Sequence, residues 1–102
     1  MNLKRDDLIV ILIEECGEVI QAATKCLRFG FDRIEPMYGR NSDVLAQEVG
    51  DLLAMIDALP LDRGIVEAYR KLKLAKAERI AAEMAQKPDM TAKPDMETKD
   101  EL

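Results

Sequence analysis

The sequence predicts an all-α protein: a helical bundle of three main helices per chain, completed by oligomerisation with four-helix packing at the subunit interface. Three observations carry this expectation. Apolar residues make up 48% of the chain and charged residues 34%, the balance of a globular helical protein. With two Tyr, two Phe and no Trp, the core must be filled by Leu, Ile, Ala and Met, which suits helix packed on helix. Apolar positions recur at spacings of three and four, and strand-like alternation is scarce. The 102 residues suffice for one small domain with a thin core. Three helices of this length cannot hide all their apolar faces, so the first and third are expected to pack against a partner subunit.

The first helix is expected from about Leu3 to Phe29. Asn2 suits the N-cap, Asp6 and Asp7 the first turns, Arg28 the last turn and Gly30 the C′ position. Leu8, Leu12, Val19, Ala22 and Cys26 form a core-facing stripe. Glu15 lies inside that stripe and Glu18 beside it, in line with Ile11 and Ala22. Gly17 costs roughly 1 kcal/mol against Ala within a helix, and its structural role is to admit another helix closely. Cys16 and Cys26, the two cysteines, are about 15 Å apart along this helix and cannot bridge to each other. Cys26 reads as a core thiol and Cys16 as a flank thiol.

Residues 31–41 read as a loop punctuated by Pro36, Gly39 and Asn41. The loop is long enough for a functional role. Its Arg33, Tyr38, Arg40 and Asn41 are groups that grip a base, sugar or phosphate. Asn41 or Ser42 is expected to cap a second helix running to about Leu59, ended by Pro60. Asp62 caps a third helix through about Ala85, with an apolar line of Ile65, Ala68, Leu72, Ala75 and Arg79/Ile80. Lys71, Lys73, Lys76 and Arg79 make it the basic helix, mostly a solvated face. The domain is thus expected over residues 1–86, and residues 87–102 as a disordered tail, polar and carrying K-P-D-M twice. The chain ends in Lys-Asp-Glu-Leu, an ER-retrieval signal in form. That signal acts only on a protein already in the secretory lumen, and no entry signal is visible, so the match is read as coincidence.

The stretch Leu12 to Leu53 carries the chemistry. Leu12-Ile13-Glu14-Glu15-Cys16-Gly17-Glu18-Val19-Ile20 is echoed thirty-three residues on: Leu12 meets Leu45, Glu15 meets Glu48, Gly17 meets Gly50 and Glu18 meets Asp51. Glu48 and Asp51 share a face with Val44, Met55 and Ala58. Two helices each bring a pair of acids into an apolar face, where acids are rare unless something pairs with them. Converging carboxylates repel, and a divalent cation resolves the repulsion. Oxygen-only ligands point to Mg²⁺, with Mn²⁺ as a substitute.

The residues Glu14-Glu15-x-x-Glu18 followed by Glu48-x-x-Asp51 resemble the E-E-x-x-E…E-x-x-D signature of the MazG-like all-α nucleoside triphosphate pyrophosphohydrolases. The resemblance covers about Leu3 to Met84. Leu27-Arg28-Phe29-Gly30-Phe31 and the loop after it are similar to the short single-domain members of bacteria and phages. The resemblance implies hydrolysis of a nucleoside triphosphate to monophosphate and pyrophosphate. It implies Glu15, Glu18, Glu48 and Asp51 as Mg²⁺ ligands, with Glu14 and Glu15 as catalytic carboxylates; Glu14 orients or deprotonates the water, or holds a second metal. It also implies a homodimer or homotetramer. Glu18 and Glu48 are thirty residues apart, slightly long for the family, because of the loop. Arg28, Arg40, Asn41 and Lys73 are the candidate substrate contacts. A phosphoribosyl-ATP pyrophosphohydrolase or a dUTPase-like enzyme of the same superfamily fits the same signature.

Two readings of other classes compete. Di-iron or di-manganese carboxylate bundles use Glu-x-x-His pairs, and this chain has no His. A non-catalytic helical interaction protein would carry the same acids as a solvated face, which the repeat and the apolar stripes argue against. A net charge of −5 argues against a nucleic-acid or anionic-membrane surface. The longest apolar run, Leu8 to Ile13, is far short of the ~20 residues of a membrane span and is no signal peptide. A cytoplasmic location is the expectation.

Overall fold

The computed structural model describes residues 3–86. Three helices dominate: α1 (Arg5–Phe29), α2 (Asn41–Ala58) and α3 (Arg63–Ala85), with two short strands, β1 (Ile34–Glu35) and β2 (Gly39–Arg40), between the first two. All-α architecture is therefore what the described residues adopt. The chain divides into two units, Met1–Leu61 and Asp62–Leu102. The tail expected from Lys87 onward and Asn2 both lie outside the described residues.

In the first unit α2 packs back along α1. The stripe expected on α1 is the face that packs: Leu8 and Ala22 are buried, while Leu12, Glu15, Val19 and Cys26 are half-buried. On α2, Val44, Leu45, Glu48, Leu52 and Met55 are half-buried, and Leu59 just beyond the helix is buried. The core is thin. Leu8, Ala22 and Leu59 are the buried apolar residues among those described.

The connection between the helices is more structured than the expected loop. β1 and β2 pair antiparallel, Ile34 with Arg40 and Glu35 with Gly39. The Tyr38 N–H donates to the Glu35 carbonyl across the turn at 3.1 Å. Gly39 takes φ +90°, a region where a Cβ is disfavoured. Gly30, at φ +117°, releases the chain from α1 in the same permissive way, its N–H still bonded to the Cys26 carbonyl.

Four successive carbonyls of the segment leading into β1 are then met by groups at the end of β2 and the start of α2. The Asn41 side-chain amide donates to the Gly30 carbonyl at 2.9 Å, and the Ser42 backbone N–H to that of Phe31 at 2.9 Å. The Arg40 guanidinium donates to the Asp32 carbonyl at 3.1 Å, and the Asn41 backbone N–H to that of Arg33 at 2.9 Å. This clip corrects two expectations. Neither Asn41 nor Ser42 caps α2 with its side chain: the N-cap position is Arg40, without a side-chain cap bond. The first N–H groups of α2 find loop carbonyls instead, so no side-chain acceptor is needed. α1 likewise begins two residues later than expected, at Arg5, with Lys4 at its N-cap position and no side-chain cap.

The second unit is α3. Asp62 caps it as expected, its carboxylate accepting from the Ile65 N–H at 3.0 Å. Arg70 forks onto Glu67 with contacts of 2.9 and 2.6 Å. That pairing holds the Glu67 carboxyl below its ordinary range, chiefly through the hydrogen bonds from Arg70. The apolar line expected to pack on a partner subunit is exposed in the single chain. No residue of α3 is buried, and Ile65, Leu72 and Ile80 are exposed. Basic residues interleave with the apolar ones along this helix, so no face is apolar throughout.

Asn41 is 4% exposed, the one buried polar side chain among the described residues. Asn41→Ala is expected to cost about 1 kcal/mol, a typical net hydrogen-bond contribution. Asn41→Asp should cost more, because it sets a carboxylate against the Gly30 carbonyl oxygen. Chemical denaturation of the three proteins checks the order.

Candidate metal centre

Glu15 stands midway along the packed face of α1, seven residues from Leu8 on one side and from Ala22 on the other. Glu48 stands on the packed face of α2, and Asp51 one turn further on. Each of the three offers a carboxylate oxygen, and these oxygens lie within 4.8 Å of one another. Glu15 and Glu48 are half-buried, and Asp51 is exposed.

Glu18 and Glu14 stand differently. Both are exposed, and neither belongs to this close group. At i+3, Glu18 is rotated about 60° around α1 from Glu15, toward solvent. α1 therefore contributes one acid to the group and α2 contributes two, where a symmetric pair of pairs was expected. The charges of Glu18 and Glu14 still reach Glu15. The Glu15 carboxyl is raised above its ordinary value of 4.5, first by loss of solvent, then by the negative charges of Asp51, Glu48, Glu18 and Glu14.

A group of three carboxylates is a donor set for a hard cation. Octahedral Mg²⁺ holds oxygens at about 2.1 Å, so opposite ligands are about 4.2 Å apart. Adjacent ligands are about 3 Å apart, so three oxygens within 4.8 Å of one another close onto one cation only by side-chain rotation. Glu15, Glu48 and Asp51 thus suit a divalent cation by charge and atom type.

The candidate substrate residues scatter. Arg28 is exposed at the end of α1, its guanidinium 5.2 Å from the centre of the Phe29 ring. Arg40 is held by the Asp32 carbonyl and approaches Asp43 at 4.0 Å. Asn41, expected to face a substrate, is buried, and its amide is committed to Gly30. Lys73 belongs to α3, where it lines a shallow surface groove with Tyr69, Leu72 and Lys76.

A second hollow, of about 310 Å³, lies where α1 meets the hairpin, lined by Lys25, Phe29, Arg33, Glu35 and Tyr38. The Lys25 ammonium stands 5.3 Å from the centre of the Tyr38 ring, and Arg33 pairs with Glu35 at 3.1 Å. Arg33 and Tyr38 were legible as loop groups. Lys25, Phe29 and Glu35 were not singled out, although an aromatic residue beside each of Gly30 and Gly39 was a usable signal.

No protein-family model, curated protein or solved structure matches this chain.

The raised Glu15 carboxyl has a definite sign in stability. The folded chain keeps that proton at pH values where the unfolded chain has lost it. The stabilisation is complete below 4.5, the ordinary value, and is lost as pH rises through the raised folded value. Without divalent cations, wild type should therefore gain stability on acidification through this window relative to Glu15→Gln. With Mg²⁺ present the slope should flatten or reverse, because the cation needs the carboxylate ionised. Melting temperatures from pH 4 to 8, in EDTA and in Mg²⁺, check both signs.

Proposed function

We propose that the chain is a Mg²⁺-dependent nucleoside triphosphate pyrophosphohydrolase, a member of the MazG-like family that its acid motif resembles. The observation that carries this reading is the convergence of Glu15, Glu48 and Asp51 from two helices onto one point. Mn²⁺ is the natural substitute. Glu18 belongs to the same reading as a fourth carboxylate that would complete the ligand set.

A cation held there would neutralise phosphate charge and align the pyrophosphate leaving group. The chain's own groups do the rest. Glu15, Glu48 and Asp51 would hold the cation between α1 and α2. Glu14, one residue from the cluster and open to solvent, orients the attacking water and accepts its proton, with Glu15 as the neighbouring carboxylate that can share this role. Arg28 and Arg40, both at the hairpin end of the helix pair, are the basic groups of this unit that the reading assigns to the nucleotide. The products are nucleoside monophosphate and pyrophosphate. The same reading carries a homodimer or homotetramer with four-helix packing between subunits, a soluble cytoplasmic enzyme and no nucleic-acid or membrane partner. No described helix is long and apolar enough to cross a membrane.

The interaction-protein reading draws on one observation of its own: α3 has no buried residue. A nucleotide panel separates the two. With Mg²⁺, one or more of the common NTPs and dNTPs, phosphoribosyl-ATP included, should yield pyrophosphate and monophosphate, and EDTA should abolish the release. Wild type should gain about 2.7 kcal/mol at one hundred times the Mg²⁺ dissociation constant. Glu48→Gln should lose most of that gain and nearly all turnover. Glu78→Gln on α3 is the control, chosen because the Glu67 carboxylate is forked on Arg70. Orthophosphate as the first product, or full turnover by Glu48→Gln, would overturn the assignment.

A further inference from the structure

The hollow between α1 and the hairpin gathers groups that helix packing does not need in one place. Lys25 and Phe29 reach it from α1, four residues apart, and Arg33, Glu35 and Tyr38 from the chain that follows. All five belong to the first unit. Its volume of about 310 Å³ is at the small end of ligand pockets, about 300–1,000 Å³, which suits one flat ring system. The Lys25 ammonium stands 5.3 Å from the centre of the Tyr38 ring, where a π face holds a cation. The Arg33 Nε meets one oxygen of the half-buried Glu35 at 3.1 Å. A carboxylate has about four lone-pair sites, so this ion pair orients Glu35 and leaves it capacity for a ligand.

We propose that this hollow binds the guanine base of a single nucleotide. The Tyr38 ring supplies the stacking face. Glu35 selects the base. Guanine alone of the common bases presents two adjacent donors, N1–H and the N2 amine, on one edge, with the acceptors O6 and N7 beyond them. The two oxygens of Glu35 accept from the two donors. The stacking base displaces Lys25 from the ring face, and its flexible four-carbon stem lets the ammonium donate to O6 and N7 instead. Adenine and cytosine set an acceptor beside their amine, and uracil flanks its one N–H with carbonyls, so in each of them a carboxylate oxygen meets a lone pair.

A net charge of −5 disfavours a polymer as the carrier of the base, which leaves a mononucleotide. Lys25 follows Glu15 by ten residues, about 15 Å along the axis of α1. On the hydrolase reading the hollow therefore names the substrate class, guanine nucleotides, and that further step rests on the reading. Base binding rests on the hollow alone. It is tested without cation or turnover, so either can fail without the other.

The test uses the full chain. It has two tyrosines and no Trp, so Tyr69→Phe leaves Tyr38 as the one strong fluorophore. In EDTA, GMP should quench Tyr38 emission to saturation, and guanosine should compete with it. IMP, which lacks the N2 amine, should bind roughly tenfold more weakly, and AMP, CMP and UMP at matched absorbance no better than IMP, the discrimination of a bidentate pair. Glu35→Gln keeps the shape and turns one acceptor into a donor. Xanthine carries a carbonyl where guanine carries the amine, so this variant should prefer XMP to GMP, a reversal that a loosened hairpin would not produce. Saturable, guanine-selective quenching without any pyrophosphate release supports the site and removes the hydrolase reading. Turnover of nucleoside triphosphates with no quenching by GMP does the reverse. Three other results would each overturn the site: equal quenching by GMP and AMP; displacement of GMP by inorganic phosphate but not by guanosine, which means an anion site; or a Glu35→Gln variant that still prefers GMP.

Discussion

Like charge in the middle of a helix pair is the constraint around which the first unit is built. Leu8, Glu15 and Ala22 follow one another along the same face of α1, so the face reads apolar, acidic, apolar. α2 brings Glu48 and Asp51 to the same level. Burial at the two ends pulls the helices together while the centre pushes them apart. So small a core has little margin for an uncompensated acid cluster. A cation at the centre would convert the repulsive stretch of the helix pair into a cross-link between α1 and α2. Stability and ligation would then be two descriptions of one event.

Much of this was legible in the sequence because it rests on strong local signals. The α1 stripe follows from helical periodicity, and Pro60 and Asp62 mark the break between α2 and α3 without help from tertiary structure. The cluster was legible through its repeat, since Glu15 and Glu48 each sit among apolar neighbours. Glu18 shows the limit of that argument. Acids three apart share a face only loosely, and whether the second one turns inward depends on how its partner helix is rolled, which spacing does not encode.

The hairpin and the start of α2 were less legible, for a different reason. Strands of two residues are too short to show alternation, so Pro36 and Gly39 read as loop punctuation. Asn41 carries the side chain of a good cap. It was drawn instead to the Gly30 carbonyl, eleven residues back. Tertiary pairing of backbone groups outbid the local preference there. α3 was legible as a helix from its Asp62 cap onward, and the packing expected for its apolar line is on a partner subunit rather than on its own chain.

The clip between Gly30–Arg33 and Arg40–Ser42 also bears on the order of events during folding. Its bonds join residues eight to eleven positions apart, so little chain entropy is lost in closing it. Contacts of such short sequence separation form quickly. Once closed, the clip fixes where α2 starts and sends it back along α1, bringing Glu15 and Glu48 together across a short, pre-folded turn. The helical hairpin is thus a fast-forming local unit. Any pairing of α1 with another molecule is a later, concentration-dependent step, taken by a surface already shaped on its other side.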